Sequence, residues 1–273
     1  MIATSSPSAP HALIFDSGVG GLSIAQQISR TLPQVHQSYL ADDAYRPYGE
    51  KTEKALRRRL PDLLVPVCDM LRPDIVVIAC NTASTTALPA IRASIDIPVV
   101  GVVPAIKPAA ALSQTRSIAV LGTPGTVRRA YVDELIAAHA ADCHVRLSGS
   151  LALVEQAERK LSDRPVDLDV LRHEIASLFA AASDPPIDSV VLACTHFPLL
   201  RDELEQVAPH PVAWIDSGEA VARRVADLLE RTSQYTGEAL ARNTAFLTGP
   251  NHDEARAATF TEYGFPAIVS LTH

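Results

Sequence analysis

The sequence predicts an α/β protein built from two similar, mostly parallel-sheet α/β domains facing each other about a pseudo-two-fold axis. Three observations carry this. Short apolar, β-branched runs alternate with helical patterns, as in strand–helix–strand units joined by right-handed crossovers. The order of parts occurs twice along the chain. Two runs, Val76-Val77-Ile78-Ala79 and Val190-Val191-Leu192-Ala193, each end in a cysteine followed by small or polar residues. Such runs read as buried parallel strands, and ligands bind at the carboxyl ends of strands in open α/β sheets.

The composition fits this architecture. A chain of 273 residues with 47% hydrophobic and 20% charged residues is globular and holds a large core. Aromatic residues are 5%, which favours aliphatic packing of helices on sheets. The net charge of −7 argues against binding nucleic-acid backbones, but not against a small anionic substrate. The four cysteines, Cys68, Cys80, Cys143 and Cys194, form no CxxC pair and no zinc spacing, so no metal is expected. Residues 1–10 are a polar arm without signal-peptide character, and no run reaches the ~18 apolar residues of a membrane span. The reading is a cytoplasmic protein with reduced thiols and no membrane partner.

Taken in order, His11–Phe15 is a strand that enters Asp16-Ser17-Gly18-Val19-Gly20-Gly21, followed by a helix over Leu22–Thr31. A strand, a glycine-rich turn and a helix together can cradle an anion. Ser23 stands where a dinucleotide fingerprint needs its third glycine, which lowers that reading. Gln37–Ala41 is a strand. The polar loop Asp42–Glu50 after it carries Tyr48 and Gly49. A helix over Thr52–Leu71 is expected to break or kink at Pro61 and Pro66. Arg57, Arg58 and Arg59 read as a solvated face. The first cysteine strand leads to a helix from near Ser84, a strand over Ile97–Val103 and a helix near Ala105–Leu112.

The second half repeats the order. Ser117–Leu121 is a strand, Val127–Ala141 a helix, Val145–Leu147 a strand, and Leu151–Leu161, carrying Glu155, a helix. A helix over Leu168–Ala182 precedes the second cysteine strand. Leu199–Val207 is helical, Val212–Ile215 a strand, and Glu219–Arg231 a helix. The tail supplies strands Ala245–Thr248 and Ala267–Leu271 around a helix over Asp253–Tyr263.

Two thiols in matched context suit one reaction. Inverting a carbon that bears a proton requires removal from one face and delivery to the other. A thiolate and a thiol do this in both directions by exchanging roles, and a reference pKa of about 8.5 suits the task. Asn81 and Thr82 after Cys80, and Thr195 and His196 after Cys194, place donors at the strand ends to hold carboxylates and stabilise charge at the α-carbon. His196 reads as an acid/base partner or as the group that orients Cys194. Asp16 reads as an acceptor for an ammonium or as an aid to Cys80. Free cysteines are more often inert core residues. That bland reading is kept for Cys68 and Cys143, while duplication in matched context favours function for Cys80 and Cys194.

The motifs Asp16-Ser17-Gly18-Val19-Gly20-Gly21, Pro47-Tyr48-Gly49, Cys80-Asn81-Thr82-Ala83-Ser84, Leu121-Gly122-Thr123, Val154-Glu155, Cys194-Thr195-His196-Phe197-Pro198-Leu199-Leu200 and Asp216-Ser217-Gly218 resemble those of bacterial glutamate racemases, in the right order from Leu13 to Leu229. The resemblance implies cofactor-independent interconversion of L- and D-glutamate, supplying D-glutamate to peptidoglycan. It implies a first domain over 11–104 plus 215–273, carrying Asp16, Tyr48 and Cys80. A second domain over 105–214 carries Thr123, Glu155, Cys194 and His196, with the active site between the two. The family's catalytic thiols fall on Cys80 and Cys194, with Asp16, His196 and Glu155 as further catalytic positions. Its substrate contacts fall on Asp16, Ser17, Tyr48, Gly49, Asn81, Thr82, Thr123, Thr195 and His196.

By resemblance, Cys194 deprotonates L-glutamate and Cys80 D-glutamate. The implied partner is a small molecule, glutamate; a homodimer and a peptidoglycan-precursor activator are left open. Ser148–Leu153 departs from the Cys-Pro-rich turn of many members and is similar to the proteobacterial ones. Two alternatives stand beside this reading. One is an aspartate or related amino-acid racemase of the same superfamily. The other is a two-lobed glutamate-binding module without chemistry.

Overall fold

The computed structural model describes residues 9–180, 185–232, 243–249 and 254–271. Most of the polar arm, the expected helix end at 181–182 and Asp253 lie outside the described residues. The chain divides into two compact units, one of Met1–Pro47, Lys51–Val102 and Gly218–His273, the other of Tyr48–Glu50 and Val103–Ser217. Tyr48, expected with the first domain, groups with the second unit, where Gly125 meets the Gly49 backbone so closely that a Cβ there would come within 2.7 Å of the Gly49 carbonyl oxygen.

The first unit holds a six-stranded sheet of β1 (His11–Asp16), β2 (His36–Ala41), β3 (Ile75–Ile78), β4 (Val99–Gly101), β9 (Thr244–Leu247) and β10 (Ala267–Ser270), in the order β10-β9-β2-β1-β3-β4. Every pairing is parallel. Strand β3, flanked by β1 and β4, is wholly buried, as expected of a β-branched run covered on both faces. The ladder pairs Asp16 with Ala41 and Phe15 with Ile78, so the residues that follow β1, β2 and β3 leave the sheet at one carboxyl edge.

Helix α1 (Leu22–Thr31) starts at the glycine turn. A Cβ on Gly21 would lie 2.8 Å from both the Asp16 Cβ and the Tyr39 hydroxyl, so only glycine lets the turn close onto β1. Helix α2 (Glu53–Leu71) is one continuous helix through Pro61 and Pro66, so neither proline breaks it. Its buried stripe of Leu56, Leu60, Leu63, Leu64 and Val67 keeps helical spacing, and both prolines lie off it. Burying five aliphatic side chains at about 1.5–3 kcal/mol each outweighs the cost of the two interior prolines at roughly 3 kcal/mol each. Helix α3 (Asn81–Arg92) begins directly after Cys80, three residues earlier than predicted from Ser84.

In the second unit β5 (Ser117–Gly122), β6 (His144–Gly149), β7 (Ser189–Ala193) and β8 (Ala213–Ile215) form a parallel sheet in the order β6-β5-β7-β8. This is the order of β2-β1-β3-β4, so the repeat read from the sequence is a repeat of topology. Strand alternation feeds two cores. Ala119, Leu121, Val190 and Leu192 join one cluster, and Ile118, Val120, Val191 and Ala193 the other. The single helix expected over Val127–Ala141 is two, α5 (Pro124–Val127) and α6 (Ala130–His139). The Thr123 hydroxyl accepts from Thr126 N–H and closes the short first helix, and Arg129 then turns to extended backbone.

Candidate active site

Each sheet has a switch point between its first and third strands, where the chain departs to opposite sides, and crevices that bind ligands form there. In the first unit, Asp16 and Ser17 follow β1 and Cys80 follows β3. In the second, Thr123 follows β5 and Cys194 follows β7.

Cys80 is 6% exposed and holds extended backbone at the junction of β3 with α3. It therefore stands at the N-terminus of α3, the positive end of the helix dipole. The Ser17 hydroxyl lies 3.6 Å from Cys80 Sγ. Asp16 is buried, and its Oδ2 accepts from Gly18 N–H at 2.9 Å. Ser84 fixes the first turn of α3: its hydroxyl donates to the Ile78 carbonyl at 3.0 Å and accepts from Val102 N–H at 3.1 Å. Asn81 and Thr82 open the helix, both buried, and Asn81 Oδ1 has no hydrogen-bond partner among the described residues. A buried orphan acceptor is costly unless something else, such as a ligand ammonium, meets it.

Cys194 is 7% exposed and continues the β7 side that carries Val190 and Leu192. Phe197 N–H donates to the Cys194 carbonyl at 3.0 Å, and buried Phe197 and Leu200 anchor the 3-10 turn Phe197–Leu200. Between them Thr195 and His196 are held, both buried. His196 Nδ1 lies 3.9 Å from Cys194 Sγ, and its Nε2 lies 3.1 Å from Glu158 Oε1. Burial alone would push the imidazole below the usual histidine range. Hydrogen bonds to Cys194 and Glu158, with their negative charge, outweigh it and hold His196 well above that range.

Thr123 is buried, and its hydroxyl meets the Thr126 hydroxyl at 3.0 Å. Buried Tyr48 and half-buried Gly49 belong to this unit, with Gly49 against Thr123. The structure thus gathers Asp16, Ser17, Cys80, Asn81 and Thr82 at one sheet edge, and Thr123, Cys194, Thr195, His196, Tyr48 and Gly49 in the other unit.

Glu155 is exposed on α7 (Ala152–Leu161), and the carboxylate at His196 is Glu158, one helical turn on. Helix α7 packs on the Phe197–Leu200 turn, with Ser150 Oγ accepting from Leu153 N–H at 3.0 Å at its start. The signal for Glu158 was its i+3 spacing from Glu155. Among the described residues, no group of three or more His, Cys, Asp or Glu side chains is arranged to hold a metal ion, and no helix is long and apolar enough to cross a membrane.

A family model described as Asp/Glu/Hydantoin racemase matches residues 21–225. The glutamate racemase of Vibrio cholerae serotype O1 is 50% identical over 270 residues, 98% of this chain and 99% of that protein. The glutamate racemase of Shewanella sp. (strain MR-7) is 45% identical over 265 residues, 95% of this chain and 96% of that protein. The crystal structure of Escherichia coli glutamate racemase in complex with L-glutamate and activator UDP-MurNAc-ala matches with a TM-score of 0.90 at 43% identity, covering 96% of this chain and 98% of that one. The chain belongs to the Asp/Glu/hydantoin racemase family and, within it, to the glutamate racemases. It is an enzyme, an isomerase of the amino-acid racemase class.

Proposed function

We propose that this racemase interconverts L- and D-glutamate with no dissociable cofactor, Cys80 and Cys194 acting on opposite faces of one α-carbon. The observation that carries the reading is the duplication. Two equivalently wound sheets each present one buried thiol after the third strand, each with a polar neighbour within 4 Å. Such a pair suits a reaction that is its own mirror image, because neither enantiomer is the privileged substrate. Cys194 removes the proton of L-glutamate and Cys80 returns one from its own thiol; for D-glutamate the roles exchange.

The proton leaves as H⁺ to sulfur and its electron pair remains on the α-carbon. Donors already in place at the strand ends stabilise that charge without reorganising. Asn81, Thr82, Thr195 and Thr123, with Tyr48 and Gly49, bind the ammonium and carboxylates of the substrate. Asn81 Oδ1, an acceptor without a hydrogen-bond partner among the described residues, receives the ammonium. His196 orients the Cys194 thiol and exchanges protons with it, with Glu158 fixing the ring. The relatives' names support glutamate over aspartate. The structure of the Escherichia coli relative supports a peptidoglycan-precursor activator. The product is D-glutamate for peptidoglycan, made in the cytoplasm.

The test is polarimetric. Purified enzyme given L-glutamate, with no pyridoxal phosphate and after dialysis against a chelator, brings the optical rotation to zero. Activity that is lost on dialysis and restored by a metal ion, or that requires pyridoxal phosphate, overturns the reading.

A further inference from the structure

The triple arginine of α2, which the sequence reads as a solvated face, conceals one residue with a different task. Arg59 reaches the carboxyl edge of the first sheet and grips Asp42 with both arms of its fork, Nη2 to Oδ1 at 2.7 Å and Nε to Oδ2 at 3.0 Å. Asp42 is fully buried and its carboxylate also accepts from the Thr248 hydroxyl at 2.8 Å. That hydroxyl accepts in turn from Ala44 N–H at 3.1 Å.

The backbone of Asp42 joins the same knot. Its N–H donates to the Asp16 carbonyl at 3.0 Å and its carbonyl accepts from Tyr45 N–H at 3.1 Å, while Thr248 N–H donates to the Ala41 carbonyl at 3.1 Å. The Arg59 guanidinium also lies over the Tyr45 ring, 5.5 Å from its centroid, and Asp43 pairs with Arg256. One buried carboxylate thus ties together the ends of β1, β2 and β9 and the start of the loop that runs on to Tyr48 and Gly49.

A buried ion pair adds little net stability, because desolvation of both charges offsets their attraction, but its fork geometry fixes position. We propose that Arg59 is a positioning residue for racemisation: through Asp42 it holds the Asp16 end of β1 and the stem of the Tyr48 loop in the geometry that binds substrate. This rests on the reading of Asp16, Tyr48 and Gly49 as substrate contacts. The segments the clamp holds carry residues read as substrate contacts, whereas the two thiols are read as the proton carriers, so its loss acts on substrate binding more than on proton transfer.

Two variants test this, Arg59→Lys and the double variant Asp42→Asn with Arg59→Met. The first keeps the charge against Asp42 and loses the fork; the second removes both charges, so no buried carboxylate is left alone. Both are assayed for KM and kcat with L-glutamate beside the wild type, with thermal melts to show folding. The expected result is a KM raised on the order of tenfold in the double variant, less in Arg59→Lys, with kcat within about threefold of wild type. Folded variants with wild-type KM, a loss confined to kcat, or loss of the melting transition in both variants overturn the proposal. A wild type that does not racemise glutamate defeats the underlying reading instead, so the two failures are told apart.

Discussion

Replacing Cys80 or Cys194 with alanine lowers racemisation in both directions by about 10³-fold or more, since a positioned proton-transfer group is worth about 10²–10⁴-fold. Loss in both directions is required by thermodynamics as well as by geometry. Enantiomers have equal free energy in achiral water, so the equilibrium constant is one and kcat/KM must be equal in the two directions. A variant that lost one thiol and kept one direction would break that equality. Serine is nearly as damaging, because a hydroxyl is far less acidic than a thiol at neutral pH. The fold survives, since each substitution removes only a sulfur atom at a strand end. Circular dichroism of the substrate solution, followed from each pure enantiomer, checks both directions. An alanine variant that still racemises within tenfold of wild type contradicts the assignment.

His196→Asn lowers kcat/KM by about 10²-fold, and Glu158→Gln by about tenfold, since His196 positions Cys194 and Glu158 positions His196. The same pair imposes a pH dependence on stability. The folded state raises the His196 pKa above its unfolded value of about 6.5. The stability it contributes is therefore fully present below that unfolded value, and is lost as pH rises through the raised folded value. The melting-temperature gap between wild type and His196→Asn is widest below about pH 6 and narrows toward alkaline pH. A gap that widens with pH contradicts a cationic His196 between a thiol and a carboxylate.

The strand ends were legible in the sequence because they rest on local signals. Ile75–Ile78 and Ser189–Ala193 are apolar runs that only a covered parallel strand satisfies, and a cysteine at the end of each fixes the edge. Strand order was not legible, because it depends on which crossover passes which side.

Misreadings arose where tertiary packing overrode a local rule. Pro61 and Pro66 announce a break, but a five-residue buried stripe carries α2 through them. Arg59 ends a run of three arginines, and nothing local distinguishes it until Asp42 is folded against it. The split of Val127–Ala141 follows from the Thr123 cap and the close approach of Gly125 to Gly49, a contact distant in sequence. Glu158 lies outside the Val154-Glu155 motif, so no motif in the sequence singled it out beside Glu155. What decides between them is which carboxylate the packing of α7 on the Phe197–Leu200 turn brings to His196.

The central claim is that two groups, one on each face, move two different protons. Early-time mass spectrometry of separated enantiomers in deuterated water tests it most directly. Starting from L-glutamate, Cys194 takes the substrate proton and Cys80 delivers a deuteron that came from solvent. The account predicts that the D-glutamate formed first carries deuterium at the α-carbon while the remaining L-glutamate stays mostly unlabelled. Early D-glutamate that largely retains the substrate's own proton contradicts it, since a single base moving between faces carries that proton across.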